Sequence, residues 1–238
     1  IITMKKFLIA TVVLLGSISL ANADRVSVGV SLTGAVFDAE GAKEIFSGNH
    51  AGDVASTKVI KNSRTEGEDA EGAFALGSVF AEFSLADQLS LGVSYVPHSS
   101  DSEEAQNVQN IGGTTNVPSN HTAEATNKVK VSFEDLYTVY ALAKFNENVY
   151  AKAGLVQVEL ITDENLGTGG AYGNDTLEGF TIALGYNMDM ADGMFIRGEA
   201  MYMEIDGTTL TNANDSTKSV TADGIDGYGA TISVGKSF

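Results

Sequence analysis

The sequence predicts an all-β fold: an eight-stranded antiparallel up-and-down transmembrane β-barrel, with short turns at one rim and four longer loops at the other. Three observations predict it. After an apolar leader, hydrophobic residues recur at every second position, the period of a strand. The connections between these segments alternate between short and long. The 238 residues include 26 glycines, two prolines and no cysteine, so the fold is held by its core or by closure of its hydrogen-bonding edges and not by disulfides.

The leader comes first. Lys5 and Lys6 follow Met4 and precede the apolar run from Phe7 to Leu15, which gives way to small residues ending Ala21-Asn22-Ala23. A basic front, a short apolar middle and an A-x-A site make a secretory signal peptide cleaved after Ala23, since a stable membrane helix needs about 20 apolar residues. Ile1, Ile2 and Thr3 read as an extension upstream of the start, so residues 1–23 are set aside and 24–238 carry the barrel. Losing the leader removes two lysines and no acid, which moves the formal charge from −17 to −19. A chain that acidic repels nucleic acid.

The alternation is clearest in four segments. Val26, Val28, Val30 and Leu32 alternate with Ser27, Gly29, Ser31 and Thr33; Leu89, Leu91, Val93 and Tyr95 alternate with Ser90, Gly92 and Ser94. Phe180, Ile182, Leu184, Tyr186 and Met188 repeat the pattern, as do Tyr228, Ala230, Ile232, Val234 and Phe238 at the end. Less regular strands are expected at 73–85, 127–145, 148–162 and 193–206. Tight turns fall at Ala86-Asp87-Gln88, Phe145-Asn146-Glu147-Asn148 and Met190-Ala191-Asp192-Gly193, and polar loops at 38–72, 97–126, 163–174 and 207–222. A sandwich has no reason to place every short turn at one end; a barrel in the outer membrane does, with periplasmic turns and extracellular loops.

Lipid imposes the rest of the logic. Every backbone N–H and C=O needs a partner, which a closed sheet provides, and the outward face must be apolar. An eight-stranded barrel is just wide enough to be filled by side chains, so Gly, Ser and Thr with a few long polar residues are expected inside. Strand direction puts Tyr95, Tyr202 and Tyr228 at the outer rim, and Phe83, Phe145, Tyr186, Phe195 and Phe238 at the periplasmic rim.

With the leader and the final segment in view, the mature chain resembles the small OmpA/OmpX-type outer-membrane barrels along essentially its whole length. The resemblance implies that Tyr228, Gly229, Ile232, Val234 and Phe238 form the signal read by the barrel-assembly machinery. Lys236 departs from the pattern, which usually has an aromatic there, although a lysine can carry its ammonium to the interface. The resemblance also implies a barrel-only protein of the Gram-negative outer membrane, surrounded by lipid and lipopolysaccharide and monomeric.

Charged residues within strands should face inward, because a basic side chain facing lipid at the midplane costs about 2–4 kcal/mol. Glu82, Glu134, Lys152, Arg197 and Glu199 form the expected lumen network. Two readings follow, a buried ion-pair network that plugs the barrel and a gated polar path, and the plug is preferred.

Catalytic and cofactor chemistry find little support. Lipid-modifying enzymes of this size need a histidine placed with a serine and an acid at the membrane rim. His50, His98 and His121 all fall in loops; only His98, beside Ser99, Ser100 and Asp101, suggests a rim site. His98 and His121 lack the spacing and thiol partners of a zinc motif. Gly167-Thr168-Gly169-Gly170 lacks the Lys-Ser/Thr of a phosphate loop. Sequons at Asn120, Asn174 and Asn214 carry no function in this setting. The four loops hold fifteen acidic residues against five basic, a surface suited to solubility, to divalent cations or to basic partners. The reading is therefore a non-enzymatic barrel with no cofactor or metal and a structural or surface-interaction role, with a small-solute or ion channel and a lipid-modifying enzyme as alternatives.

Overall fold

The structure is a computed structural model that describes residues 25–39, 43–47, 61–65, 70–101, 104–111, 123–167 and 170–238. The leader and its cleavage site, His50 and His121 lie outside the described residues.

Eight long strands form the wall. They are β1 Val26–Ala39, β2 Ala70–Ala86, β3 Leu89–Val96, β4 Ala123–Lys144, β5 Val149–Leu166, β6 Asp175–Asp189, β7 Met194–Ile205 and β8 Ile225–Ser237. Every strand pairs antiparallel with its neighbours in sequence, and β1 pairs with β8 over the register Ser27↔Ser237 to Ala39↔Ile225, which closes the sheet. Closure leaves no edge through the middle of the wall, so each backbone amide there has a partner without water. The closing seam carries an inner ladder of hydroxyl pairs: Ser27 with Ser237 at 2.8 Å, Ser31 with Ser233 at 2.9 Å and Thr33 with Thr231 at 2.8 Å. Among the described residues no helix is long and apolar enough to cross a membrane.

The short turns stand where the sequence puts them. In the β4–β5 turn the Asn146 side chain accepts from the backbone N–H of Asn148 and Val149 at 2.9 and 2.8 Å, replacing ladder bonds at the tip. The β6–β7 turn needs left-handed backbone at Asp192 (φ 61°) and Gly193 (φ 73°), where a short acid and a glycine meet little steric cost.

Within the long loops, some of the described segments are strand. Segments Thr208–Thr211, Lys218–Ala222, Lys43–Ser47 and Lys61–Thr65 form a second, four-stranded antiparallel sheet, bringing the first and last loops together. Ala105–Ile111 pairs with the extended start of β4, from Ala123 to Val129. Stretches expected as irregular loop are thus partly strand, because Thr, Val, Ser and Ile in alternation can pair wherever a neighbour supplies an edge.

In the same region Lys130 donates to Asp101 at 2.6 Å, which lowers the Asp101 carboxyl below its ordinary value. A carboxyl lowered on folding contributes stability above its unfolded pKa and loses it as pH falls through the lowered value. Titration of the Asp101 carboxyl carbon by NMR should give a midpoint below that of a free aspartate, and Lys130→Gln should move it up. An unchanged midpoint in that variant would remove the ion pair as the cause.

Candidate functional site

Inside the barrel, side chains of alternate residues converge, and glycines decide how they lie. Five aromatics each rest on a glycine directly opposite on the next strand. Phe80 faces Gly29, Tyr140 faces Gly92, Tyr150 faces Gly185, Phe195 faces Gly235 and Phe37 faces Gly227. A Cβ added at any of these glycines would run into the opposing ring. The missing side chain lets the ring lie flat against the wall, so an eight-stranded barrel can hold large residues and charged ones at one level.

Four of those rings, Phe80, Tyr140, Tyr150 and Phe195, surround a polar cluster, while Phe37 packs against Phe74 and the aliphatic residues of the lumen nearer the long loops. Arg197 on β7 donates from Nη1 to Glu82 Oε1 on β2 at 2.6 Å and from Nε to Asn187 Oδ1 on β6 at 3.0 Å. Tyr140 on β4 donates its hydroxyl to the same Glu82 oxygen at 2.9 Å. Glu199, one inward position above Arg197, accepts from the Tyr150 hydroxyl at 2.8 Å and pairs with Lys152 of β5. The Arg197 guanidinium lies 4.3 Å from the Phe195 ring centroid, and the Lys152 ammonium 5.1 Å from that of Tyr140. Glu82, Arg197 and Glu199 are 5%, 7% and 8% exposed. Two carboxylates and two cations sum to zero, and each carboxylate has an ionic partner and a phenol. Charges this far from water persist only with such partners.

Two cavities of about 70 Å³ lie against this cluster. One opens toward the long loops and is lined by Ser31, Ser78, Thr138, Met201 and Thr231 among others; the second sits toward the short turns, lined by Arg25, Ser84, Ser90, Lys144 and Asp189. Glu82 and Arg197 are the two residues that line both. Beyond the first cavity the lumen becomes apolar, packed with Val156, Val158, Leu160, Leu177, Met203 and Ile205. This aliphatic cluster was not expected from the sequence, which suggested small and polar residues throughout.

The outward face is the reverse. Leu32, Leu184 and Ile232 are 62%, 64% and 65% exposed, and Val28, Val30, Leu155, Ile182 and Val234 join them in a band around the wall. Above the band lie aromatic side chains: Tyr95 stacked on Tyr137 with centroids 4.6 Å apart, and Tyr202 against both Phe180 and Tyr228. Just beyond them carboxylates stand in direct register, Glu71 opposite Asp38, Asp38 opposite Asp226 and Asp226 opposite Glu204. Like charges so placed repel and need water, which marks the end of the apolar zone. On β8 the outward positions run from Asp226 to Lys236, ten residues or about 33 Å along the strand. At a tilt of about 40° that is about 25 Å along the barrel axis, the height of the hydrocarbon-facing band of outer-membrane barrels. The chain is a β-barrel of the outer-membrane type.

The comparisons with known proteins yield no family. No protein-family model matches the sequence and no curated protein matches it. Similar solved structures include the outer-membrane protein OprG from Pseudomonas aeruginosa, at 9% identity and a TM-score of 0.42 over 89% of this chain and 98% of that one. They also include Ail, the attachment invasion locus protein of Yersinia pestis, at 9% and 0.35 over 88% and 99%. The outer-membrane protease OmpT from Escherichia coli overlaps at 12% and 0.38 over 91% and 97%. Likeness this loose extends to no residue or role.

Within this outer-membrane-type barrel, Glu82, Lys152, Arg197 and Glu199 of the expected network meet, and Glu134 does not. Between Glu134 and Tyr137 the β4–β5 register shifts by one residue, with Asp135 at a positive φ of 50°. The bulge reverses parity, so Glu134 turns outward and is exposed while Phe133 and Val131 pack near the apolar lumen cluster. Phe195 is a second correction: expected in the periplasmic girdle, it is 2% exposed and faces inward over Gly235 and Arg197. Phe145, Tyr186 and Phe238 are open at that rim, whereas Phe83 is buried beside Val26 and Leu91. Tyr140, Tyr150 and Asn187 were missed; the signal available was the glycine opposite each tyrosine, legible only once the register is known.

Tyr228, Ile232 and Val234 point outward, Gly229 pairs with Ala35, and the Phe238 N–H donates to the Val26 carbonyl at 2.9 Å. His98 has both ring nitrogens facing backbone groups, Nε2 accepting from Gly77 N–H at 2.9 Å and Nδ1 3.3 Å from the Ser99 carbonyl, while Asp101 is taken by Lys130. Among the described residues no group of three or more His, Asp or Glu is placed to hold a metal ion.

Proposed function

We propose that this chain is a non-enzymatic integral outer-membrane protein whose lumen is plugged by its own side chains, and that it acts at the surface, structurally or by interaction, through its acidic outer loops. One observation carries the plug: the two lumen cavities are separated by Glu82 and Arg197, which are bonded to each other at 2.6 Å and buried. An ion crossing from one cavity to the other has to part that pair in a place with little water, where each freed charge loses its compensation. The aliphatic packing above adds a second, uncharged barrier. An enzyme reading draws nothing from His98, whose ring nitrogens are turned to backbone and not to a serine and an acid.

Planar-bilayer recording tests the plug. Wild-type protein should give no steady conductance, and Glu82→Ala/Arg197→Ala should stay closed too, because the aliphatic barrier remains. Stable, salt-dependent steps from the wild type would replace the plug with a channel.

A further inference from the structure

We infer that the short-turn mouth of the barrel is a binding site for a small oxyanion of the phosphate class. The inference starts from the second cavity, below the Glu82–Arg197 partition. Its lining is the innermost inward position of successive strands: Arg25 and Ser27 on and before β1, Ser84 on β2, Ser90 on β3, Lys144 on β4, Asp189 on β6 and Ser237 on β8. The roof is Arg197 itself, with Phe195 at its side.

Charge is distributed unevenly there. A chain of net charge −17 places three of its 14 basic residues around one small cavity. Arg197 is neutralised by Glu82 at 2.6 Å, and Asp189 accepts from the Asn187 amide at 2.6 Å. Among the described residues neither Lys144 nor Arg25 makes an ion pair, and Arg25 reaches the Leu85 carbonyl at 3.5 Å. Two cations therefore face the cavity against one carboxylate that is already hydrogen-bonded. Between them stand serine hydroxyls that now satisfy one another, Ser27 with Ser237 at 2.8 Å and Ser84 with Ser90 at 3.2 Å. Each of these hydroxyls can rotate to donate to a third group.

Size selects the ligand. A cavity of about 70 Å³ holds only a few waters, which suits a compact oxyanion and not an extended ligand. Such an anion would meet an ammonium, a guanidinium and hydroxyl donors together, and charge-assisted bonds of that kind are the stronger ones. Because Glu82 and Arg197 close the upper side, the anion would be held at the mouth and not passed along. Free phosphate and the phosphate of a phosphomonoester share this chemistry.

The test is an NMR titration of the refolded, full barrel in zwitterionic detergent micelles, reading the amides of Gln88, Ser90, Lys144 and Ser237. Inorganic phosphate should give saturable shifts in the wild type, at least tenfold weaker in Lys144→Gln and lost in Arg25→Gln/Lys144→Gln. Chloride at matched ionic strength should give none. Heat-modifiable migration on a gel confirms that each variant is folded, and neither residue belongs to the buried partition, so both should fold. Glycerol 3-phosphate distinguishes the sources: binding equal to phosphate supports a phosphomonoester, weaker binding supports the free ion. Shifts that do not saturate, that chloride reproduces, or that survive unchanged in the folded double variant overturn the site.

Discussion

Arg197→Ala should lower the unfolding free energy of the barrel by about 3–5 kcal/mol, the cost of leaving a buried carboxylate without its partner. Glu82 is 5% exposed and would keep only the Tyr140 hydroxyl; Asn187 would lose its donor and the rings of Phe195 and Phe80 their cation. The magnitude comes from the stranded charge more than from the lost attraction, which gives the prediction a second half. Arg197→Met with Glu82→Gln keeps an acceptor for Tyr140, removes both charges and should recover most of the loss. Urea unfolding in micelles, followed by the heat-modifiable gel band, measures both. A single variant as stable as the wild type, or a double variant no better than the single, would show that Glu82 is wet rather than buried.

Gly185→Val should be nearly as damaging, although it removes nothing. The new Cβ enters the Tyr150 ring, which is fully buried and donates at 2.8 Å to Glu199. Overpacking costs about 1–3 kcal/mol, and displacing the phenol forfeits a hydrogen bond to a charged group, about 1.5–3 kcal/mol more. Gly198 is the control: its position faces open space, so Gly198→Val should leave stability nearly unchanged. Adding Tyr150→Ala to Gly185→Val makes room for the valine, and the two losses should then fall short of their sum by at least about 1 kcal/mol. Strict additivity would mean that the ring does not rest on the glycine.

Both predictions rest on contacts between strands, and that is where the sequence stops being readable alone. Alternation is local: Val26 to Leu32 or Phe180 to Met188 shows its two faces without reference to any neighbour, because successive side chains point to opposite sides of a strand. The eight strands, the three tight turns and the inward parity of Glu82, Lys152, Arg197 and Glu199 were legible for that reason. Phe195 shares the parity of Arg197 and Glu199, so its lumen face is local too; that Gly235 stands opposite and leaves the ring room depends on the register of β7 on β8. Glu134 left the expected network because one extra residue beside Asp135 reversed the parity of β4, a backbone event that no side-chain pattern announces.

By itself, then, the sequence determined an all-β chain with a polar and an apolar face on each strand, since the period of a strand needs nothing beyond the strand. Only the tertiary structure decided the register of β1 on β8, the filling of the outer lumen by Val156, Leu160, Met203 and their neighbours, and the meeting of Glu82 with Arg197 across 115 residues of sequence. Those outcomes depend on the stagger between strands, which is set by closing the whole ring at once, so no single segment contains them.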